Sequence, residues 1–279
     1  MSRARISLFS QSLFALDLLE AIEATAALGF DAIELACCKP HFDLEMARRD
    51  PERVLRAIER SGLAVSALST FSSYTDPRTV DDELAAAETF IRLAPTFGTQ
   101  TVKVNPGPPG SALATPAHWR CLERALAELI PLAREIGVRL AFETHMRQLT
   151  DTLASAKRLM TLAPADVVGL TVDYSNLVFA GDDLEQVVAD LGERTYNTHL
   201  KNGTIDAAGG WCFHPLDVGW TDYAVVLGAL CDGGYDGPLT LECLGPDARE
   251  HPLRTAQRDR EILVRLLRQT GWDIPKGMM

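Results

Sequence analysis

Three observations predict an α/β fold closed into a single-domain (β/α)8 barrel. Eight short apolar runs alternate with longer helical patterns, and no Pro-, Gly- or Ser-rich linker divides the chain. The strand runs are continuously apolar rather than alternating, as in a parallel sheet covered by helices. Eight βα units argue for closure, and 279 residues suit one such barrel spanning 1–279. The rival, an open doubly wound sheet, would carry a Gly-rich phosphate turn after the first strand. Phe9-Ser10-Gln11-Ser12 stands there instead.

The elements follow in order. Strand 6–10 leads to a helix over 16–28, with Asp17 near its start and Gly29 as its stop. Strand 32–36 precedes a helix over 51–61 that opens on Pro51 and ends at Gly62. Strand 63–69 precedes a helix over 80–97 closed by Gly98. Strand 101–105 is broken by Pro106-Gly107-Pro108-Pro109-Gly110, a rigid turn with few free N–H groups for a phosphate. A helix over 116–136 stops at Gly137, then strand 138–143 and helix 152–162 follow. Strand 169–173, helix 183–191 and strand 197–201 come next. A long loop runs to Trp220, followed by helix 223–231, strand 239–243 and helix 255–269.

Composition narrows the functional classes. Hydrophobic residues make up 47% and charged residues 23%, which excludes disordered and fibrous chains. Asp and Glu number 38 against 27 Lys and Arg, and the resulting charge of −11 opposes general binding to nucleic acid or an anionic membrane. No apolar run approaches the roughly 20 residues of a membrane span. The first ten residues lack the apolar core and cleavage site of a secretory signal. A cytoplasmic protein is expected. The six cysteines show neither a C-x-x-C pair nor zinc-ribbon spacing and read as unbridged thiols.

Polar residues gather where the last four strands end. Glu143, Asp173, His199 and Glu242 each follow an apolar or β-favouring run. In a barrel, chemistry sits at the C-terminal strand ends, so the four converge at the mouth. Three carboxylates and an imidazole gathered without a cation would repel one another. A divalent ion resolves this, and the oxygen-rich set suits Mn2+, Mg2+ or Co2+ better than a thiolate-type zinc site does.

Further candidates lie nearby. His145 and Lys201 stand two residues past Glu143 and His199, on the same strand faces, and read as substrate contacts or acids. Glu34 and Lys103 read as substrate-binding groups or as braces of the barrel. His41 and His214 are loop candidates for substrate contact, and Trp211, Phe213 and Trp220 for walls of the pocket. His118 and His251 read as helix-surface residues.

These motifs resemble the xylose isomerase-like family of sugar phosphate isomerases and epimerases, all TIM barrels. Leu28-Gly29-Phe30-Asp31-Ala32-Ile33-Glu34-Leu35 is similar to the family's signature from helix one into strand two. Phe142-Glu143-Thr144-His145, Val172-Asp173 and His199-Leu200-Lys201 match its ligand motifs. The run 234–242, ending in Thr240-Leu241-Glu242, matches its last strand, and 217–223 resembles the segment entering the seventh helix. The likeness covers essentially the whole chain. It implies that Glu143, Asp173, His199 and Glu242 bind one divalent metal, Mn2+ first, with Mg2+, Co2+ or Zn2+ as the other ions. It also implies that Glu143 and Glu242 are catalytic and exchange protons with a small carbohydrate or keto-polyol. Oligomers are common in the family, which leaves a homo-oligomer open.

The expected activity is therefore isomerisation or epimerisation by proton transfer α to a carbonyl. Alternatives on the same scaffold are inosose- or dehydroshikimate-type dehydration, keto-glycoside β-elimination, and a non-catalytic sugar-binding subunit. The family's DNA-repair endonucleases need a richer metal set and a DNA-binding surface, against one ligand set and a charge of −11 here. Two departures stand out. Many relatives carry His three residues after the ligand Asp, where this chain has Asn176, and Asp after His-x-Lys, where it has Asn202. Asn176 keeps a hydrogen-bonding amide for substrate but not a titratable group.

Overall fold

The computed structural model describes residues 3–274. Its strands are β1 (Ile6–Phe9), β2 (Ala32–Ala36), β3 (Ala64–Ser69), β4 (Thr101–Val104), β5 (Arg139–Glu143), β6 (Val168–Asp173), β7 (Thr195–Leu200), β8 (Asn202–Ile205), β9 (Trp211–His214) and β10 (Leu239–Leu241). Its helices are α1 (Leu18–Ala27), α2 (Leu44–Arg49), α3 (Pro51–Ser61), α4 (Val80–Leu93), α5 (Pro116–Ile136), α6 (Leu153–Leu162), α7 (Tyr174–Phe179), α8 (Leu184–Leu191), α9 (Tyr223–Asp232), α10 (Pro246–Glu250) and α11 (Pro252–Gln269). Strands β1 to β7 and β10 form a closed barrel, in which β10 pairs in parallel with both β7 and β1. This is a (β/α)8 barrel.

Local signals set the element ends. Asp17 caps α1 in a reciprocal box with Glu20, a contact worth about 1 kcal/mol. Pro51 and Pro116 occupy first turns, and Gly137 ends α5 in a left-handed conformation at φ 79°. Helix α5 buries Trp119, Leu122, Leu126 and Leu129, which share one face at helical spacing. Burying each such leucine contributes about 1.5–3 kcal/mol. The barrel interior is polar in part. Ser7 and Ser66 hydroxyls meet at 2.8 Å, and Thr99 donates to the Ser66 carbonyl at 3.0 Å.

Every expected strand and helix is present, and four additions were not legible. Helices α2, α7 and α10 are five or six residues long, too short for a periodic signal. The loop expected after the seventh strand contains an antiparallel hairpin, β8 with β9. Asp206 closes its turn by accepting N–H bonds from Ala208 and Gly210, both at 2.8 Å. A Cβ on Gly203 would stand 2.2 Å from the Cys212 carbonyl oxygen, so the hairpin needs glycine there. Past the hairpin, Gly219 (φ 149°) presses against Asn202. No described helix is long and apolar enough to cross a membrane. None of the six cysteines is bonded to another.

Candidate active site

Glu143 and Asp173 close β5 and β6, His199 lies one residue before the end of β7, and Glu242 follows β10. All four are 6% exposed or less. One donor atom from each lies within 4.8 Å of the others. The cluster is built from backbone outward. The Thr144 hydroxyl accepts from the Asp173 N–H at 2.9 Å and donates to its carbonyl, locking the ends of β5 and β6 together. Asp173 Oδ1 caps α7 by accepting from the Asn176 N–H, which aims Oδ2 at the Lys201 ammonium. Lys201 Nζ also donates to Glu242 Oε2 at 2.6 Å. Tyr223 Oη donates to the Lys201 carbonyl at 2.6 Å and accepts from its N–H at 3.0 Å, fixing that residue's backbone.

Glu143 is held harder. Its Oε2 accepts from Asn105 Nδ2 at 2.9 Å and pairs with Lys103 Nζ at 2.5 Å, while Oε1 faces His199 Nδ1 at 3.1 Å. The Phe9 ring stacks on the imidazole with centroids 4.9 Å apart. On the far side, His199 Nε2 meets Glu34 Oε1 at 2.8 Å.

Burial and pairing compete at each group. For Glu143, burial pushes the pKa up, but the Lys103 ammonium, then His145 and His199, hold it well below the usual carboxylate range. For Glu242, burial is again outweighed, by Lys201 and His199, and the value falls. For Asp173 burial wins: despite Lys201, and with repulsion from Glu242 and Glu143, it rises to about 6. For His199, burial disfavours the imidazolium, yet Glu34 and Glu143 lift it to about 10. For Lys201, burial is overcome by Asp173 and Glu242, and its pKa is raised.

The donor set fits a divalent cation. Four buried carboxylates, Glu34, Glu143, Asp173 and Glu242, face two buried ammonium groups, Lys103 and Lys201. With His199 neutral, a dication closes the charge deficit. Three carboxylates and one imidazole nitrogen are ordinary ligands for such an ion.

A cleft of about 100 Å3 opens above the cluster, lined by Phe9, Phe71, Lys103, Glu143, His145 and Glu242 among others. Lys103 and His145 therefore lie where the sequence put them, and Lys201 lies beneath, between Asp173 and Glu242. Glu34 is placed differently. It is fully buried, and both its oxygens are committed to protein, to His199 and to Asn197 Nδ2 at 2.8 Å. It braces the site from behind and does not line the cleft. Asn176 is also fully buried and gives Nδ2 to the Thr144 carbonyl at 3.0 Å, while Oδ1 has no protein partner. Asn202 spends its amide on the loop: Nδ2 donates to the Leu216 and Thr221 carbonyls, and Oδ1 accepts from the Gly203 and Thr221 N–H groups.

The loop candidates divide. His41 is buried away from the cleft, with Nε2 on the Leu16 carbonyl and its ring edge-on to Phe14. His214 is exposed on the hairpin beside Thr204. Trp211 stacks under the Arg147 guanidinium at 4.6 Å, Phe213 lies against Gly245, and Trp220 is 50% exposed beside Phe179. His118 caps α5 through the Thr115 N–H at 3.0 Å. Sequence reasoning missed Asn105, Asn197, Phe9 and Phe71. Two signals pointed to the asparagines: Asn105 is a polar residue at a strand exit, and Asn197 shares the His199–Lys201 face by period two.

Comparisons with known proteins agree with this fold. The profile of the family described as xylose isomerase-like TIM barrel matches residues 22–266. An inosose dehydratase of Clostridium perfringens is 25% identical over 168 residues, covering 55% of this chain and 57% of that protein. The chain thus spans little more than half the length of the curated relatives it matches. A probable 3-DHS dehydratase from Bacillus anthracis has a similar fold, with a TM-score of 0.78, 20% identity, and 93% and 98% of the two chains covered. An L-ribulose 3-epimerase structure superposes with a TM-score of 0.77 at 20% identity, over 96% and 95% of the chains.

Proposed function

Because the chain belongs to the xylose isomerase-like TIM barrel family, we propose that it is a divalent-metal-dependent lyase. It dehydrates a small keto-polyol or keto-sugar after removing the proton α to the ketone. The observation that carries this reading is the buried cluster of Glu143, Asp173, His199 and Glu242 under a cleft lined by both glutamates, a lysine and a histidine. Those four residues would hold the ion, Mn2+ or another hard divalent cation. The ion supplies a Lewis acid that polarises the ketone and acidifies the neighbouring C–H.

The chain's own residues do the rest. Glu242 is the better base, because Glu143 is tied by Asn105, Lys103 and His199, whereas Glu242 has its one close contact at Lys201. Its lowered pKa keeps it a carboxylate at neutral pH, ready to accept the α-proton. The C–H electron pair forms the C=C bond as the β C–O bond breaks. His145 lines the cleft, and its Nδ1–H is held by the Met146 carbonyl at 2.8 Å, which presents Nε2 for proton donation. A proton carried on that Nε2 passes to the departing hydroxide, which leaves as water. Lys103, in the same cleft, favours charge building on the ketone oxygen.

The dehydratases among the curated relatives, and a cleft in which Lys103 and His145 stand beside the two glutamates, put elimination ahead of epimerisation, the order opposite to the sequence expectation. Epimerisation is the second reading, favoured because Glu143 and Glu242 both line one cleft. The test is to incubate the metal-loaded protein with a panel of keto-polyols and ketoses in D2O. Growth of a conjugated enone absorbance is expected. Deuterium entering carbon without loss of water identifies an epimerase instead, and neither signal with any member overturns both readings. Glu242→Gln should lower turnover by roughly 10²-fold or more.

A further inference from the structure

His199 has two ring nitrogens, and only Nδ1 faces the other three members of the cluster, 3.1 Å from Glu143 and 4.0 Å from Glu242. Its Nε2 points the other way, to Glu34 Oε1 at 2.8 Å. Glu34 reaches there from the middle of β2, across the barrel interior. It is itself held: Asn197 Nδ2 donates to Oε2 at 2.8 Å, and Asn197 Oδ1 accepts from the Thr240 hydroxyl at 3.3 Å. All these groups are fully buried, so water does not substitute for them. A carboxylate accepts only. Where Glu34 Oε1 accepts from the Nε2–H, Nδ1 of the neutral ring is a bare lone pair directed at the cluster.

We propose that Glu34 is a positioning residue that fixes His199 as the Nε2–H tautomer, so that Nδ1 ligates the cation, and that Asn197 holds the Glu34 carboxylate in the orientation that meets the imidazole. This rests on the metal reading above. A glutamine at 34 is informative because it can satisfy only one of its neighbours. Its neutral oxygen accepts more weakly than the carboxylate, and where it turns to Asn197 Nδ2 its NH2 group is opposed to the His199 Nε2–H. Adding Asn197→Asp, which puts an acceptor-only carboxylate opposite, would reverse this, drawing the NH2 and returning the oxygen to His199.

The experiment measures Mn2+ affinity by calorimetry and the His199 ring by 15N NMR in the zinc-loaded protein. Relative to wild type, Glu34→Gln should weaken Mn2+ binding by roughly 10- to 100-fold, with the melting temperature of the metal-free protein little changed. Its Nε2–H resonance should move upfield. The E34Q/N197D pair should regain most of both. Wild type that takes up neither ion overturns the metal reading and this inference with it. Wild type that binds, with E34Q within twofold of it, overturns the inference alone. A loss in E34Q that N197D does not relieve also overturns it. Should neither variant fold, the wild-type spectrum decides, because zinc on Nε2 with a proton on Nδ1 contradicts the proposal.

Discussion

In the proposed metal site, a proton and a dication compete for one nitrogen of His199. Burial disfavours the imidazolium, but Glu34 and Glu143 raise its pKa to about 10, so the metal-free ring is charged at neutral pH. A ligating histidine must be neutral, so ion uptake expels that proton. Apparent affinity should climb about tenfold per pH unit between pH 7 and 8, where Asp173, raised to about 6 chiefly by burial, is already ionised. Calorimetry in two buffers of different ionisation enthalpy should count about one proton released per ion at pH 7.5. A count near zero contradicts the assignment. The sign for folding is the reverse. A raised histidine pKa stabilises the metal-free fold fully below about pH 6.5 and loses that contribution as pH rises through about 10.

At the scale of elements, legibility followed chemistry and length. The strand ends were readable because a buried parallel strand is apolar along its length, so Glu143 or Asp173 at the close of such a run marks the barrel mouth. Helix α7 was not, because Asp173 is both the last strand residue and the cap of the next turn, leaving no gap to read. The part played by Glu34 was hidden for another reason: its partners lie 163 and 165 residues away, beyond any local pattern. The connection after β7 shows the cost of such tightness. Gly219 sits at φ 149°, and a Cβ there would stand 2.2 Å from Asn202 Oδ1. Gly219→Ala should destabilise the fold by roughly 1–3 kcal/mol. The denaturation midpoint should fall, and the emission of the neighbouring Trp220 should shift. An unchanged midpoint would mean that the loop relaxes freely.

For the molecule as a whole, the acidic excess acquires a location. Four of the 38 acidic residues are buried together at one end of the barrel. An ion that binds there and not to the unfolded chain stabilises the fold, by about 2.7 kcal/mol at a hundredfold excess over Kd. For a chain of this size that raises the melting temperature by roughly 5 °C or more. Adding a chelator should reverse the rise, and Asp173→Asn should abolish it. A shift that persists in that variant places the ion elsewhere. The cleft itself draws on both halves of the ring. Glu143, Asp173, His199 and Glu242 come from its later strands, whereas Phe9, Phe71 and Lys103 come from β1, the turn after β3, and β4. Under the proposed function, the four cation ligands all lie in the later half of the chain, whereas most of the cleft wall lies in the earlier half. On that reading, changes to the cleft wall in the first 105 residues redirect the protein to a differently shaped molecule where they spare Glu34, Lys103 and Asn105, which hold His199 and Glu143.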